Sequence, residues 1–205
     1  MSNANPVRCQ KCGKPLGFIT VLTKGLLGFQ QPLQKVKLVG ICMECFQKKW
    51  DLGIDNLKAE LIAPCGMNCN VCSNYLALEN DTKTKGVKLP YCSGCRQRNK
   101  KCALIKRKCK KVLYNKVDFC YECNEFPCEL FKKPVFKKYE TLYRMNMVEN
   151  LQYMKEYGLT KFLEAEKKKW ECPNCGKTIC CHNGICYSCN LERMKTKKKR
   201  YRWED

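Results

Sequence analysis

Ala63-Pro-Cys65-Gly-Met-Asn-Cys69-Asn-Val-Cys72, then Tyr91-Cys92-Ser-Gly-Cys95, then Phe119-Cys120-Tyr-Glu-Cys123-Asn-Glu-Phe126-Pro127-Cys128, is the stretch whose reading decides how this chain folds. With Cys102 and Cys109 it gathers ten of the 20 cysteines. So short a segment buries little apolar surface, and its thiols must supply what the core does not. They can do so as disulfides or as metal ligands. Metal is the better reading. C-x2-C pairs recur, a spacing at which two thiolates on one turn grip one ion. Two intervening residues also make a poor disulfide loop, though a C-x-x-C can be a redox motif. Met1 to Arg8 is polar, so no secretory leader is expected, and a reducing cytoplasmic setting keeps thiols free. Placed on a helix, Cys65, Cys69 and Cys72 stand at i, i+4 and i+7 on one face, with the helix continuing through Asn70 to Leu78. Ten thiols suffice for two four-ligand sites with two spare, or for one shared cluster. Ligand softness leaves zinc and iron–sulfur both open.

Outward from this centre, two further clusters have ribbon spacing. Cys9-Gln-Lys-Cys12-Gly13 and Cys42-Met-Glu-Cys45 stand 29 residues apart, with β-branched runs at Gly17–Thr23 and Val36–Ile41 that read as paired strands. Cys172-Pro-Asn-Cys175-Gly176 and Cys186-Tyr-Ser-Cys189 are separated by ten residues, which suits a compact zinc ribbon closed by a tight hairpin. Cys180, Cys181 and His182, the one histidine of the chain, fall at that hairpin's tip and read as a structural turn in preference to a ligand, a redox thiol or a reactive residue. Between the centre and the second ribbon, Phe136, Tyr139, Tyr143, Met147, Leu151 and Met154 recur every three or four residues. They predict helix with its stripe packed on the cysteine domain. Gly158 is a stop signal, and Thr160 a cap for a following helix.

The expected architecture is a small, metal-stapled α+β fold. Its parts are a zinc ribbon or treble-clef-like module over 1–58, a cysteine-rich metal-binding domain over 59–131, and a helical segment over 132–169. A second ribbon over 170–192 and a basic tail over 193–205 complete it. About four zinc ions are expected, with an iron–sulfur cluster as the alternative occupant of the centre. Expected ligands are Cys9, Cys12, Cys42, Cys45, Cys65, Cys69, Cys72, Cys92, Cys95, Cys102, Cys109, Cys120, Cys123, Cys128, Cys172, Cys175, Cys186 and Cys189.

The quoted residues resemble the cysteine-rich domain of unknown function 3795, over roughly Ala63 to Leu130. Members of that family often continue, as here, into a helix similar to Asn150-Leu-Gln-Tyr-Met-Lys-Glu-Tyr-Gly158-Leu and a ribbon similar to Trp170-Glu-Cys172-Pro-Asn-Cys175-Gly. The resemblance implies metal binding and no established activity. The Cys9 to Cys45 module stands outside its pattern.

Lys and Arg number 40 against 19 acids, a formal charge of +21. Four ions in four-thiolate sites lower this to about +13, because each ion displaces four thiol protons. A polyanion is therefore the expected partner, and RNA, including ribosomal RNA, the preferred one. The candidate contacts are Arg96, Arg98, Lys100, Lys101, Lys106, Arg107, Lys108, Lys110, Lys111 and Lys116, an acid-free run around Cys102 and Cys109. Lys195, Lys197, Lys198, Lys199, Arg200 and Arg202 form a second group. Tyr114, Tyr121 and Trp203 are candidates for base stacking. No apolar run approaches the ~20 residues of a membrane span. No phosphate loop, carboxylate pair or nucleophilic triad is visible, so a binding protein is expected before an enzyme. The competing functions are an iron–sulfur electron carrier and an RNA-acting enzyme that grips its substrate with the ribbons.

Overall fold

A computed structural model describes Lys14, 53–96, 108–114, 116–196 and Trp203. The chain divides into two compact units, Met1–Asp51 and Leu52–Asp205. The ligands expected at Cys9, Cys12, Cys42 and Cys45 lie outside the described residues, as does Cys102.

The second unit opens with a minimal hairpin, β1 (Gly53–Ile54) against β2 (Leu57–Lys58), in antiparallel register with Ile54 opposite Leu57. Asp55 takes the left-handed φ of 50° that the two-residue turn requires, a conformation Asp tolerates. The Asn70 side chain then pairs with the backbone of Lys58, accepting its N–H at 2.8 Å and donating to its carbonyl at 3.0 Å. A side-chain amide thus extends a sheet too short to stand by itself.

The expectation of three cysteines on one helical face is corrected here. Cys69–Val71 is a single 3-10 turn, and α1 (Ser73–Glu79) begins only after Cys72, its N-cap. Gly66 (φ 82°) breaks any helix before it starts. The loop wraps around a space where a helix would have aligned its side chains along a line.

α2 (Lys110–Leu113) is one turn. α3 (Pro134–Tyr143) starts with proline at its first turn, where no N–H bond is lost, and ends at Arg144 in the left-handed region. α4 (Met147–Trp170) is capped by the Asn146 side chain, which accepts from the N–H groups of Val148 and Glu149. Gly158 (φ 85°, ψ 168°) interrupts α4, as the sequence led us to expect, and a second helical segment runs on to Trp170. The predicted stripe is inward: Phe136, Tyr143, Met147, Leu151 and Met154 are all buried. Each half of α4 also holds the cysteine loop. Asn150 donates to the Gly66 carbonyl at 2.8 Å, and Glu166 accepts from Asn68 at 2.8 Å and from the Trp170 indole at 2.9 Å.

The C-terminal ribbon is pinned by antiparallel bridges Glu171–Thr178 and Ile179–Cys186, followed by the short α5 (Arg193–Thr196). Its inner face, with Cys180, Ile185, Tyr187 and Met194, packs on Leu76 and Ala77 of α1 and on Val87 and Leu89. Small, mixed and organised around thiols, the fold is the expected α+β type. Among the described residues no helix is long and apolar enough to cross a membrane.

Candidate metal centre

Two thiol arrangements of different geometry occur. In the ribbon, the sulfurs of Cys172, Cys175, Cys186 and Cys189 all lie within 4.8 Å of one another. Cys172 and Cys189 are 3.7 Å apart, and Cys175 and Cys186 are 3.6 Å apart. Four sulfurs placed tetrahedrally at about 2.3 Å from zinc stand about 3.8 Å from each other, so the donor set fits one zinc ion. The Lys177 backbone N–H, with help from the neighbouring sulfurs, lowers Cys175 to about 7, while its hydrogen bond with Cys175 raises Cys189 to about 12. Cys175 is therefore the first ligand available as thiolate at neutral pH.

In the centre, Cys65, Cys69, Cys72, Cys92 and Cys95 line a cavity of about 350 Å³ together with Met67, Phe136, Lys138, Tyr139, Tyr143 and His182. Its cysteines come from the 65–72 loop and the 92–95 turn. Gly94 (φ 98°) lets that turn approach closely: a Cβ there would meet the Leu61 side chain at 2.5 Å. Among the described residues, the ribbon supplies the one set of three or more candidate ligands drawn within 4.8 Å. The cavity sulfurs are spread over a wall. Loss of water pushes Cys72 up to about 12, with Cys180 and Cys92 adding repulsion. Such a thiol ionises at neutral pH only against a cation, because a metal inverts this logic.

Behind the cavity, Cys120 is held well above the thiol range by burial, with Cys65, Cys109, Cys128 and Cys123 contributing. The Cys120 N–H donates to the Pro64 carbonyl at 2.8 Å, which ties the 109–128 segment to the loop that carries Cys65. Arg96, assigned from sequence to phosphate contact, is turned inward. Its Nε donates to the Ile62 carbonyl at 2.6 Å and its Nη2 to that of Asp118 at 3.0 Å, and its guanidinium stacks on Phe119 at 4.6 Å. Desolvation pulls it down to about 10, opposed by Cys65 and Cys69. A half-buried cation placed there offsets thiolate charge. Lys111 reaches Cys123 Sγ at 3.2 Å and Glu125 at 2.9 Å. Lys108, Lys110, Lys116 and Lys195 are exposed. Arg98, Lys100, Lys101, Lys106, Arg107, Lys197, Lys198, Lys199, Arg200 and Arg202 lie outside the described residues.

Cys180, Cys181 and His182 form the turn expected of them, but it is driven into the protein. Both thiols are fully buried, the Cys181 N–H donates to the Val71 carbonyl at 2.8 Å, and its carbonyl accepts from the Trp203 indole at 2.7 Å. Burial, with Lys138 adding repulsion, lowers His182 to about 4, so it is neutral at pH 7. That His182 and Tyr139 would face one cavity had no local signal, since they stand 43 residues apart.

Residues 61–133 match the family model described as "Protein of unknown function (DUF3795)". The match covers every cavity cysteine and the 109–128 group, and stops short of α3, α4 and the ribbon. No curated protein and no solved structure matches the chain.

Proposed function

We propose that this protein carries an iron–sulfur centre in the cavity of Cys65, Cys69, Cys72, Cys92 and Cys95 and exchanges single electrons through it, while zinc in the ribbon is structural. One observation carries this reading. The ribbon draws four sulfurs to the spacing of one tetrahedral ion, whereas the central thiols line a cavity of about 350 Å³. Cluster irons spread their thiolate ligands over a polynuclear core, and burial with nearby hydrogen bonds sets the potential. The chain's own residues supply the ligands and an apolar wall of Met67, Phe136 and Met147, with the half-buried Arg96 cation beside Cys65 and Cys69.

Metal analysis and an optical spectrum of anaerobically purified protein test it. Iron and labile sulfide in equal amounts, with visible cluster absorption, are expected alongside zinc. Cys69→Ser should lose iron and keep zinc; Cys175→Ser should release the ribbon's zinc. Colourless protein containing zinc alone refutes the reading.

RNA binding is a second reading. Tyr114 is 66% exposed and neighbours the exposed Lys108, Lys110 and Lys116. An unburied ring among cations is suited to stacking on an unpaired base. On this reading the metals hold a basic surface rigid against RNA, including ribosomal RNA.

A further inference from the structure

Three elements meet at His182. Its Nδ1 accepts from the Ser73 backbone N–H at 3.3 Å, at the start of α1, and stands 3.4 Å from Cys181 Sγ. Its Nε2 lies 3.2 Å from the Tyr139 hydroxyl, on α3. A backbone N–H can only donate, so Nδ1 carries no proton. The neutral imidazole then carries its single hydrogen on Nε2 and donates it to Tyr139 Oη. Tyr139 has thereby received a hydrogen bond and still has its own hydrogen to give. Among the described residues nothing accepts it, and the side chain lines the cysteine cavity. The Tyr143 ring, 4.6 Å from the imidazole and 5.1 Å from Tyr139, keeps the imidazole and phenol in this arrangement.

We propose that Tyr139 is a positioning residue for the centre in the cavity, donating its hydroxyl hydrogen to an anionic sulfur of that centre, and that His182 fixes the direction of the donation. This rests on the iron–sulfur reading of the cavity. A donor to cluster sulfur stabilises the reduced, more negative state and raises the reduction potential. The ribbon thereby reaches the electronics of the central site through a residue that ligates nothing there.

The test uses the full chain reconstituted anaerobically with iron and sulfide, and a redox titration followed by absorption. Tyr139→Phe removes one oxygen and keeps the ring. Its midpoint should fall, moving the equilibrium toward the oxidised form by roughly three- to tenfold, where tenfold is 59 mV for one electron. His182→Ala should shift it the same way, and His182→Gln, whose amide can still donate to Tyr139, should recover part of the shift. Unchanged ribbon zinc in each variant certifies the fold. A cluster with the same midpoint in wild type and Tyr139→Phe overturns the proposal and leaves the cluster reading standing. Failure of the wild type to take up iron overturns both. An independent arm needs no variant: His182 is the one histidine of the chain, so its ring nitrogens are unambiguous in nitrogen NMR of the zinc-loaded protein. Protonated Nε2 and bare Nδ1 are expected; a proton on Nδ1 sinks the relay.

Discussion

At the scale of single residues, the cavity depends on backbone positions that only glycine fills well. Gly66 sits between Cys65 and Cys69 at φ 82°, and a Cβ there would strike the Met147 carbonyl and lie 2.9 Å from Leu151 Cγ. The neighbour is helix backbone and cannot give way. Gly66→Ala should therefore destabilise the second unit by well over about 1 kcal/mol, from left-handed strain and displacement of α4 together. Thermal melts with metal content read alongside would show it; a wild-type melting temperature would mean the loop relaxes without cost. The same residue explains a limit of the sequence. Cys65, Cys69 and Cys72 have helical spacing, yet a glycine after the first of them and the Asn68 side chain bonding back to the Asn70 N–H at 3.0 Å turn the chain into a loop. Spacing reports which residues can share a face, and local turn chemistry decided that they do not.

At the scale of elements, α4 grips the cysteine loop through Asn150 on one side of its break and Glu166 on the other. Glu166 is 4% exposed, and burial raises its pKa above the ordinary carboxylate value. A carboxyl raised in the folded state favours folding below its unfolded pKa, and that contribution is lost as pH rises through the folded value. Its bonded oxygen only accepts, from Asn68 and Trp170, and an amide oxygen does the same. Glu166→Gln should thus fold and bind metal normally, and gain on the wild type as pH rises from about 4 toward 7. Paired melts across that range decide the sign. A wild type that gains on the variant with rising pH would show that the ionised carboxylate is the stabilising form. The helical periodicity was legible because an apolar stripe repeats every turn. What the stripe packs against was not: Phe136, Tyr139 and Tyr143 wall a cavity whose thiols lie far away in sequence.

At the scale of the whole molecule, charge and metal are linked. The formal +21 falls as thiolates bind ions, and Arg96 and Lys111 are already engaged with carbonyls, a thiol and a carboxylate. The exposed cations around Tyr114 remain for a polyanion. With about six phosphates neutralised on single-stranded RNA, log K should fall with log salt at a slope of about −4. Tyr114→Ala should lower affinity and leave that slope unchanged, whereas charge reversal at Lys108 and Lys110 should flatten it. Binding titrations at several salt concentrations measure both, and affinity indifferent to salt would remove the RNA reading.

The sequence by itself determined that thiols are this chain's candidate metal ligands, that its cysteines fall in three clusters, that Cys172, Cys175, Cys186 and Cys189 belong to one ribbon, and that a broken helix precedes that ribbon. These are local properties, written in spacings of two to ten residues and in a period of one helical turn. Tertiary structure alone decided how the described central thiols divide between a cavity and the group behind it. It also turned Arg96 inward and set His182 beside Tyr139. These depend on contacts between residues tens of positions apart. The chain meets such partners only when α1, α3 and the ribbon pack, and no local pattern encodes which side chains then share a wall.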